Sequence, residues 1–484
     1  MNNFKLKDYN LADTIAAPAT YPGRSALGVI KISGKQAINI VSRVFLPRRK
    51  KNIKKVKSHT LHYGWIIESP LSIVHSPQKK QKSQEKNQKL PTIIDEVLIS
   101  VMRGPASYTR EDVVEISSHG GAVVINKILE LVLGEGGRLA LPGEFTYRAL
   151  VKGRIDLLQA EGILSIVEAK SQDGLSLAAL QLKGEASQKI RKIKEQLKDV
   201  FTQTEAFINF PEDEINIAAG KIKTTVTAIE NQLSRLLEGS KQAQVLKEGA
   251  RCVICGKTNV GKSTLFNCLL KQERVIVSKM PGTTRDVIEE VLTIKGLPLR
   301  IYDTAGLLEP QDFVTAQAID RTMLLFNEAD LIIFVLDGTH CLNKDDLFLL
   351  EKIKDKTAVM VINKADRKQK LSLSNIPNFK GPKVKFSALK NIGLQSLEEA
   401  IYNSICKEGL DRQDIVFLNQ YQRQVLANSR DSLTKAARLL EEGYTIDFVN
   451  LALGEGLDNL GKLSGEVLSE EILENIFGKF CIGK

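Results

Sequence analysis

Gly256-Lys-Thr-Asn-Val-Gly-Lys-Ser263 is the stretch on which the fold turns. It fits the pattern G-x-x-x-x-G-K-[ST]. An apolar run, Cys252–Cys255, precedes it and a helical pattern through Leu270 follows it. Strand, glycine-rich loop and helix form the context in which this pattern cradles phosphate. The glycines let backbone N–H groups wrap phosphate oxygens, and the helix N-terminus adds its positive dipole. In that arrangement Val260, Gly261 and Thr264 line the phosphates, Lys262 reaches the β- and γ-phosphates, and Ser263 ligates Mg²⁺.

Downstream motifs follow in the order a guanine-nucleotide switch requires. Thr283-Thr284-Arg285-Asp286 supplies a threonine, Thr284, that can close on Mg²⁺ and the γ-phosphate. Asp303-Thr304-Ala305-Gly306 follows the apolar run Leu299–Tyr302. There Asp303 can hold the Mg²⁺ water shell and the Gly306 N–H can sense the γ-phosphate, contacts that order switch loops. Asn363-Lys364-Ala365-Asp366 ends the strand pattern Ala358–Ile362. The Asp366 carboxylate can accept from guanine N1–H and the 2-amino group, a donor pair adenine lacks. Ser387-Ala388-Leu389 ends Val384–Phe386 and can offer backbone contact to guanine O6. Five motifs, each at a strand end, predict a P-loop GTPase. Cys252 and Cys255 lie three apart on a strand, so their side chains point to opposite faces. They are expected as small buried hydrophobes rather than a metal or redox pair.

Working outward, residues 249–405 alternate short apolar strands with helices, which predicts a parallel α/β sheet. Residues 14–150 read as mixed α/β, with apolar runs at Gly28–Ile32, Thr92–Val101 and Val113–Ser117 and a helix-period stretch at Ala122–Leu133. From Ile155 to about Leu246 the spacing is helical, with one stripe through Ile190, Ile193, Leu197, Val200 and Phe201. Pro211 in Asn209–Ile215 breaks it. Residues 416–478 are helical again. The expected architecture is an α/β domain at 1–153, a helical domain at 154–248 and 406–484, and a GTPase domain at 249–405 inserted into the helical one.

At ~100–200 residues per domain, 484 residues make two to four domains. Hydrophobic residues are 43% and charged residues 26%, ordinary globular usage, so the chain can bury a core. No apolar run reaches the ~18 residues of a membrane span, the N-terminus lacks a secretory pattern, and six cysteines make no disulfide framework. A soluble, reduced, cytoplasmic protein is expected. The net charge of +11 resides in two stretches. Pro47–Lys57 carries seven cations and no anion; Pro77–Leu90 carries five lysines and Glu85. The second has the Lys/Gln composition of a solvated loop. The first reads either as a solvated loop or as a phosphate-contacting patch for nucleic acid. No aromatic residue interleaves with either run.

Beyond the GTPase motifs, the chain resembles the tRNA uridine-34 modification GTPase family known as MnmE or TrmE. The matching stretches are Asp13-Thr-Ile-Ala16, Pro22-Gly-Arg24, Ile30-Lys-Ile-Ser-Gly34, Ser107-Tyr-Thr-Arg-Glu-Asp112, Glu115, His119-Gly-Gly121, Pro142-Gly-Glu-Phe145, Arg154-Ile-Asp156, Phe210-Pro-Glu-Asp-Glu-Ile215 and Phe480-Cys-Ile-Gly-Lys484. The resemblance implies an N-terminal domain that binds a 5,10-methylene-tetrahydrofolate or related one-carbon donor and helps form a homodimer. It implies a helical domain that brings the C-terminal tail back towards the folate site. It also implies a GTPase domain that dimerises when K⁺ is present. With an FAD-dependent partner of the MnmG or GidA type, such proteins add an aminomethyl or carboxymethylaminomethyl group to C5 of the wobble uridine of tRNA.

Carried over residue by residue, the resemblance assigns K⁺ to Asn259 with oxygens from the loop Ser278–Thr283, including Ser278, Met280 and Thr283. It assigns folate contacts to Lys31, Glu115, Arg154 and Lys484, and a functional thiol to Cys481. Two positions depart from the family pattern. Lys31 stands where an arginine is usual, losing the bidentate fork. Thr315 stands where a glutamate usually orients the attacking water; Glu309 and Asp312 are nearby carboxylates. Thr315 bears on the hydrolysis rate and not on GTP binding. Two other readings stay open: a GTP-gated binding protein of the ribosome-assembly kind (Era or Der type), and a hydrolysis-poor family member acting as a scaffold.

Overall fold

The structure, a computed structural model, describes residues 5, 8–21, 23–68, 91–169, 171–209, 219–270, 289–303, 325–371, 376, 379–387, 389–390, 392–406, 414–463 and 470–484. The lysine-rich stretch 77–90 and the Phe210–Ile215 match lie outside them. Two compact units result: Met1–Glu161 with Ser464–Lys484, and Gly162–Leu463.

The first unit contains β1 (Ile15–Pro18), β2 (Ser25–Ser33), α1 (Ala37–Val44), β3 (Phe45–Pro47), β4 (Thr60–Glu68), β5 (Thr92–Met102), β6 (Val113–Gly120), α2 (Ala122–Gly134), β7 (Arg138–Leu139) and α3 (Glu144–Val151). The strands form one sheet in the order β3-β4-β5-β6-β2-β1-β7, antiparallel except for β1 with β7. Side chains alternate across it. Ile30, Ile32, Ile66, Val97, Ile99, Val114 and Ile116 face a core completed by Ile40 and Val41 of α1 and Ile128 and Val132 of α2. The intervening residues, including Lys31, Tyr63, Trp65, Leu98 and Glu115, take the other face. Strand β4 is not expected from the sequence because His62 and Gly64 interrupt its apolar run. Gly64 is demanded by packing: a Cβ there would lie 2.3 Å from the Leu46 carbonyl oxygen on β3.

The second unit begins with the rest of α4 (Leu157–Glu168), then α5 (Gln172–Lys183), α6 (Glu185–Asn209) and α7 (Ala219–Glu248). The helical stripe behaves as its spacing requires: Ile190, Ile193, Leu197 and Val200 are buried. The chain then enters β8 (Ala250–Cys255), α8 (Lys262–Leu270), β9 (Glu289–Ile294), β10 (Leu297–Asp303), β11 (Leu331–Asp337), α9 (Lys344–Ile353), β12 (Ala358–Asn363), β13 (Lys383–Lys385) and α10 (Leu394–Ile405). It returns to helices in α11 (Gln420–Glu441) and α12 (Ile446–Leu463). Asn419 caps α11 in a capping box with Gln422. Helix α11 packs on α12 and α7, and α6 packs on α12 and α7, a ring of four. The last helix, α13 (Glu470–Phe477), belongs to the first unit.

The second sheet has the order β13-β12-β11-β8-β10-β9. All neighbours are parallel except β9, which pairs antiparallel with β10. Strand β8 lies between β11 and β10, where the winding direction reverses. Ligands of open α/β sheets bind in the crevice at that point, beyond the carboxyl ends of the strands. Gly256 is the first residue past β8.

Candidate functional site

The phosphate loop is held open by close backbone approach. Gly256 has φ of +143°, and a Cβ there would lie 2.3 Å from the Val335 carbonyl oxygen. Gly261 has φ of +100°, and its Cβ would lie 2.2 Å from Asn363 Nδ2. Asn259 and Lys364 both sit in the left-handed region, at φ +62° and +61°. Non-glycine residues there cost free energy and concentrate at functional sites. The strain is supported by a stitch between two loops. Asn363 Nδ2 donates to the Val260 carbonyl at 2.8 Å. Lys364 Nζ donates to the Asn259 carbonyl at 3.3 Å and to Asp337 Oδ2 at 2.5 Å. These bonds tie the Asn363–Asp366 loop to the Gly256–Ser263 loop.

Lys262 Nζ lies within the loop, 2.9 Å from the Gly256 carbonyl oxygen and 2.6 Å from that of Lys257. Ser263 and Thr264 are exposed at the first turn of α8. Asp366 accepts from Ser387 Oγ at 2.6 Å, and the Ala365 N–H donates to the Phe386 carbonyl at 3.0 Å. Those bonds fix the carboxylate beside the strand end, and Ser387 holds its carboxyl below the usual range. Leu389 is exposed. Curled glycine loop, helix N-terminus, lysine and anchored aspartate fit a guanine nucleotide.

Sequence reasoning missed Asp337. Burial opposes its ionisation, but hydrogen bonds from Lys364 and Thr339 prevail and bring its carboxyl to about 2. It flanks a cavity of about 270 Å³ lined also by Lys257, Asn259, His340, Cys341 and Lys364. Lys257 in turn pairs with Asp346 at 2.7 Å. Cys252 and Cys255 are both buried, in the cores on opposite faces of the sheet. Burial pushes the Cys252 thiol up, and pushes Cys255 up to about 12. Neither thiol is a nucleophile at neutral pH. Strand β10 sets Asp303 in register with Ile254. Ser278, Met280, Thr283, Thr284, Thr304, Ala305, Gly306, Thr315 and Ala388 lie outside the described residues.

The first unit holds a second candidate site. Lys31 on β2 faces Glu115 on β6, Nζ to Oε1 3.9 Å. The Lys31 ammonium stands 5.2 Å from the Tyr108 ring centre and 5.6 Å from that of Phe145. The Arg154 guanidinium lies 4.6 Å from the same Tyr108 ring. Burial pushes the Lys31 ammonium down; Glu115 opposes that, and the charge of Lys484 adds to it. Lys31 and Arg154 thus meet at the Tyr108 ring, Glu115 pairs with Lys31, and the charge of Lys484 reaches Lys31. Two cations over a ring, with a carboxylate beside them, suit a planar, anionic ligand. Tyr108 and Phe145 were not assigned roles from the sequence, although both lie within the matching stretches quoted above. The ring of Tyr108 is oriented by a 2.9 Å hydrogen bond between its hydroxyl and Thr146 Oγ1.

The tail is seated by aromatic contacts. Tyr9 stacks on Tyr147 at 4.7 Å, Tyr147 meets Phe477 edge-on at 5.3 Å, and Phe477 stacks on Phe480 at 5.6 Å. Each such pair adds roughly 0.5–1.5 kcal/mol beyond its buried area. The Gly143 N–H donates to the Cys481 carbonyl at 3.4 Å, leaving Cys481 exposed. Gly483, at φ +96°, approaches Pro18 so closely that a Cβ would lie 2.3 Å from its carbonyl oxygen. Beneath lies a buried ion network. Arg148 pairs with Glu144 at 2.9 Å and Glu111 at 3.0 Å, and both Arg148 and Glu144 are fully buried. Arg138 and Lys152 complete it through Glu144 and Glu111.

Comparison with known proteins identifies the family. Residues 157–481 match the family model of the MnmE helical domain, and residues 14–154 match that of the GTP-binding protein TrmE N-terminus. The chain is 39% identical over 476 residues to the tRNA modification GTPase MnmE of Thermoanaerobacter pseudethanolicus, covering 98% of this chain and 99% of that one. It is 38% identical to the same protein of Clostridioides difficile, again over 98% and 99%. Among solved structures, the G domain of the Thermotoga maritima FeoB iron transporter matches 32% of this chain and 99% of its own at 28% identity, with a TM-score of 0.25. That score is too low to bear on function. Family models spanning most of the chain and full-length relatives agree: the chain belongs to the MnmE family of tRNA modification GTPases.

Proposed function

We propose that this GTPase is activated by K⁺ and, with an FAD-dependent partner of the MnmG type, adds an aminomethyl or carboxymethylaminomethyl group to C5 of uridine 34 in tRNA. The one-carbon unit comes from a tetrahydrofolate held in the N-terminal domain. The domains divide at 1–153, 154–248 with 406–484, and 249–405. The protein works as a homodimer in the cytoplasm.

The observation that supports this reading most directly is the meeting of Lys31 and Arg154 at the Tyr108 ring, with Phe145 and Glu115 beside Lys31. In this reading Glu115 accepts from pterin N–H groups, Arg154 and Lys484 pair with folate carboxylates, and Cys481 stands beside the donor. In the GTPase domain, Ser263 and Thr284 hold Mg²⁺, and Asn259, Ser278, Met280 and Thr283 hold K⁺. Lys262 and the Gly306 N–H stabilise charge on the γ-phosphate, and Thr315 or a nearby carboxylate positions water.

GTP turnover in K⁺ against Na⁺ at equal ionic strength, with Thr315→Glu alongside, tests the switch. K⁺ stimulation of the native chain is expected. Activity only in the glutamate variant means an intact ion site with a weakened hydrolytic step, and the scaffold reading then prevails. For the modification itself, a strain lacking this protein should carry hypomodified wobble uridine that the native chain restores. Normal tRNA in that strain ends the proposal.

A further inference from the structure

The seven cations of Pro47–Lys57 take no part in either site described above. They do not form a loose loop. The segment leaves β3, makes a single 3₁₀ turn at Ile53–Lys55, and returns to β4. Ile53 and Val56 are 3% and 5% exposed and belong to the core of the first unit. Asn52 Oδ1 accepts from the Lys54 N–H at 3.0 Å. Arg103, just past β5, clamps the turn, donating from Nε to the Val56 carbonyl at 3.0 Å and from Nη2 to the Lys54 carbonyl at 2.7 Å. All seven cationic side chains are exposed, and among the described residues none pairs with a carboxylate. Two buried anchors, a cap and a clamp thus present a dense positive surface that no carboxylate pairs with among the described residues.

The structure also supplies the aromatic groups that the sequence run lacks. Pro47 pairs with Gly64, and the Arg48 N–H donates to the Tyr63 carbonyl at 3.1 Å, so the run starts beside β4 at Arg48. Tyr63 and Trp65 project from the same face, with ring centres 6.4 Å apart. The Arg48 guanidinium lies 5.4 Å from the Tyr63 ring. Glu96 accepts from the Tyr63 hydroxyl and fixes that ring. Cations that track a phosphate backbone beside rings on which bases stack are the combination that grips single-stranded nucleic acid.

We infer that the Arg48–Lys57 surface and the Tyr63–Trp65 rings form an RNA-docking site that holds the tRNA substrate through its phosphates and an unpaired base. This rests on the tRNA-modifying reading above and adds where the RNA is held. The rings of Tyr63 and Trp65 favour RNA over the other polyanion, an acidic membrane, because bases stack on them. The phosphate contacts carry affinity without sequence choice, so the site positions tRNA and leaves recognition of uridine 34 elsewhere.

The test uses the full chain and an unmodified transcript of a tRNA with uridine at position 34. Arg49, Lys50, Lys51 and Lys55 are changed together to Gln; all are exposed and none belongs to the catalytic or folate machinery. Affinity should fall tenfold or more at moderate salt. Loss of about four contacts should flatten the slope of log K against log salt by roughly 3. Tyr63→Leu should weaken binding several-fold and leave the slope unchanged. GTP turnover without RNA should not alter in either variant. Native binding and slope in the quadruple variant overturn the inference and leave the tRNA-modifying activity untouched. So does loss confined to phosphatidylserine vesicles, or a change only in sedimentation, which would make the patch a membrane or self-association surface. A native chain that grips the transcript through this patch yet fails to restore wobble modification sinks the activity and keeps the docking site.

Discussion

Eight consecutive residues, Gly256–Ser263, carry the phosphate loop, whereas the cluster around Tyr108 draws Lys31 from β2, Glu115 from β6 and Arg154 from beyond α3, with the charge of Lys484 in the tail reaching Lys31. The loop works through its backbone, and its residues are chosen for what they omit: two glycines have no room for a Cβ. The cluster works through side chains held in place by a buried ion network and a row of aromatic rings. One site is local and conformational; the other is assembled from distant segments. They should therefore fail in different ways.

The largest expected effect comes from the network. Arg148→Met leaves Glu111 and Glu144 as buried carboxylates short of a partner, at a cost of about 3–5 kcal/mol. Thermal unfolding should split, with the first unit melting early while GTP turnover survives to the native temperature. A single transition that takes turnover with it would break the comparison. Next, Lys262→Ala should reduce GTP turnover by roughly 10²–10³-fold through lost charge stabilisation, with reduced-folate binding unchanged by fluorescence titration. A parallel loss of folate binding would show that the two sites are not independent.

Asp337 gives a smaller, pH-dependent effect. Its carboxyl ionises more readily folded than unfolded, so its contribution is present above the ordinary carboxylate range and is lost as pH falls from about 4 towards 2. Asp337→Asn should cost about 1–2 kcal/mol at pH 6, and the gap in unfolding midpoint from the native chain should close towards pH 2. A gap that persists there would mean Asp337 acts through packing and not through the Lys364 ion pair. The smallest effect is expected at Lys31→Arg. The planar fork should strengthen binding of a reduced folate a few-fold with no change in GTP turnover. Weaker binding would mean the pocket between Tyr108 and Phe145 is sized for lysine.

Much of this was legible in the sequence, and the reason is distance along the chain. The phosphate loop, the Asn363–Asp366 loop and the helical stripe of α6 are local patterns whose physics lies within a few residues. Asp337 was not legible, because its role depends on Lys364, a strand away. The cluster around Tyr108 was named in four of its members only through family resemblance; no spacing links Lys31 to Lys484. Strand β4 was hidden by His62 and Gly64, and with it the fact that Tyr63 and Trp65 stand beside the cationic run. Composition saw seven charges without aromatics; the β3–β4 register brings the first of them, Arg48, to the Tyr63 ring.

The seating of Gly483 against Pro18 has a consequence in time. The first unit needs both Met1–Glu161 and Ser464–Lys484, and the whole of Gly162–Leu463 lies between. At ~5–20 residues per second, the ribosome makes the tail on the order of tens of seconds after the strands it rests on. During translation the aromatic rings of Tyr9 and Tyr147 wait without Phe477 and Phe480, and a nascent chain stalled inside the GTPase domain carries an incomplete N-terminal site. The first unit is therefore complete only when synthesis has run through the tail, whereas the fold around Gly256–Ser263 can form earlier.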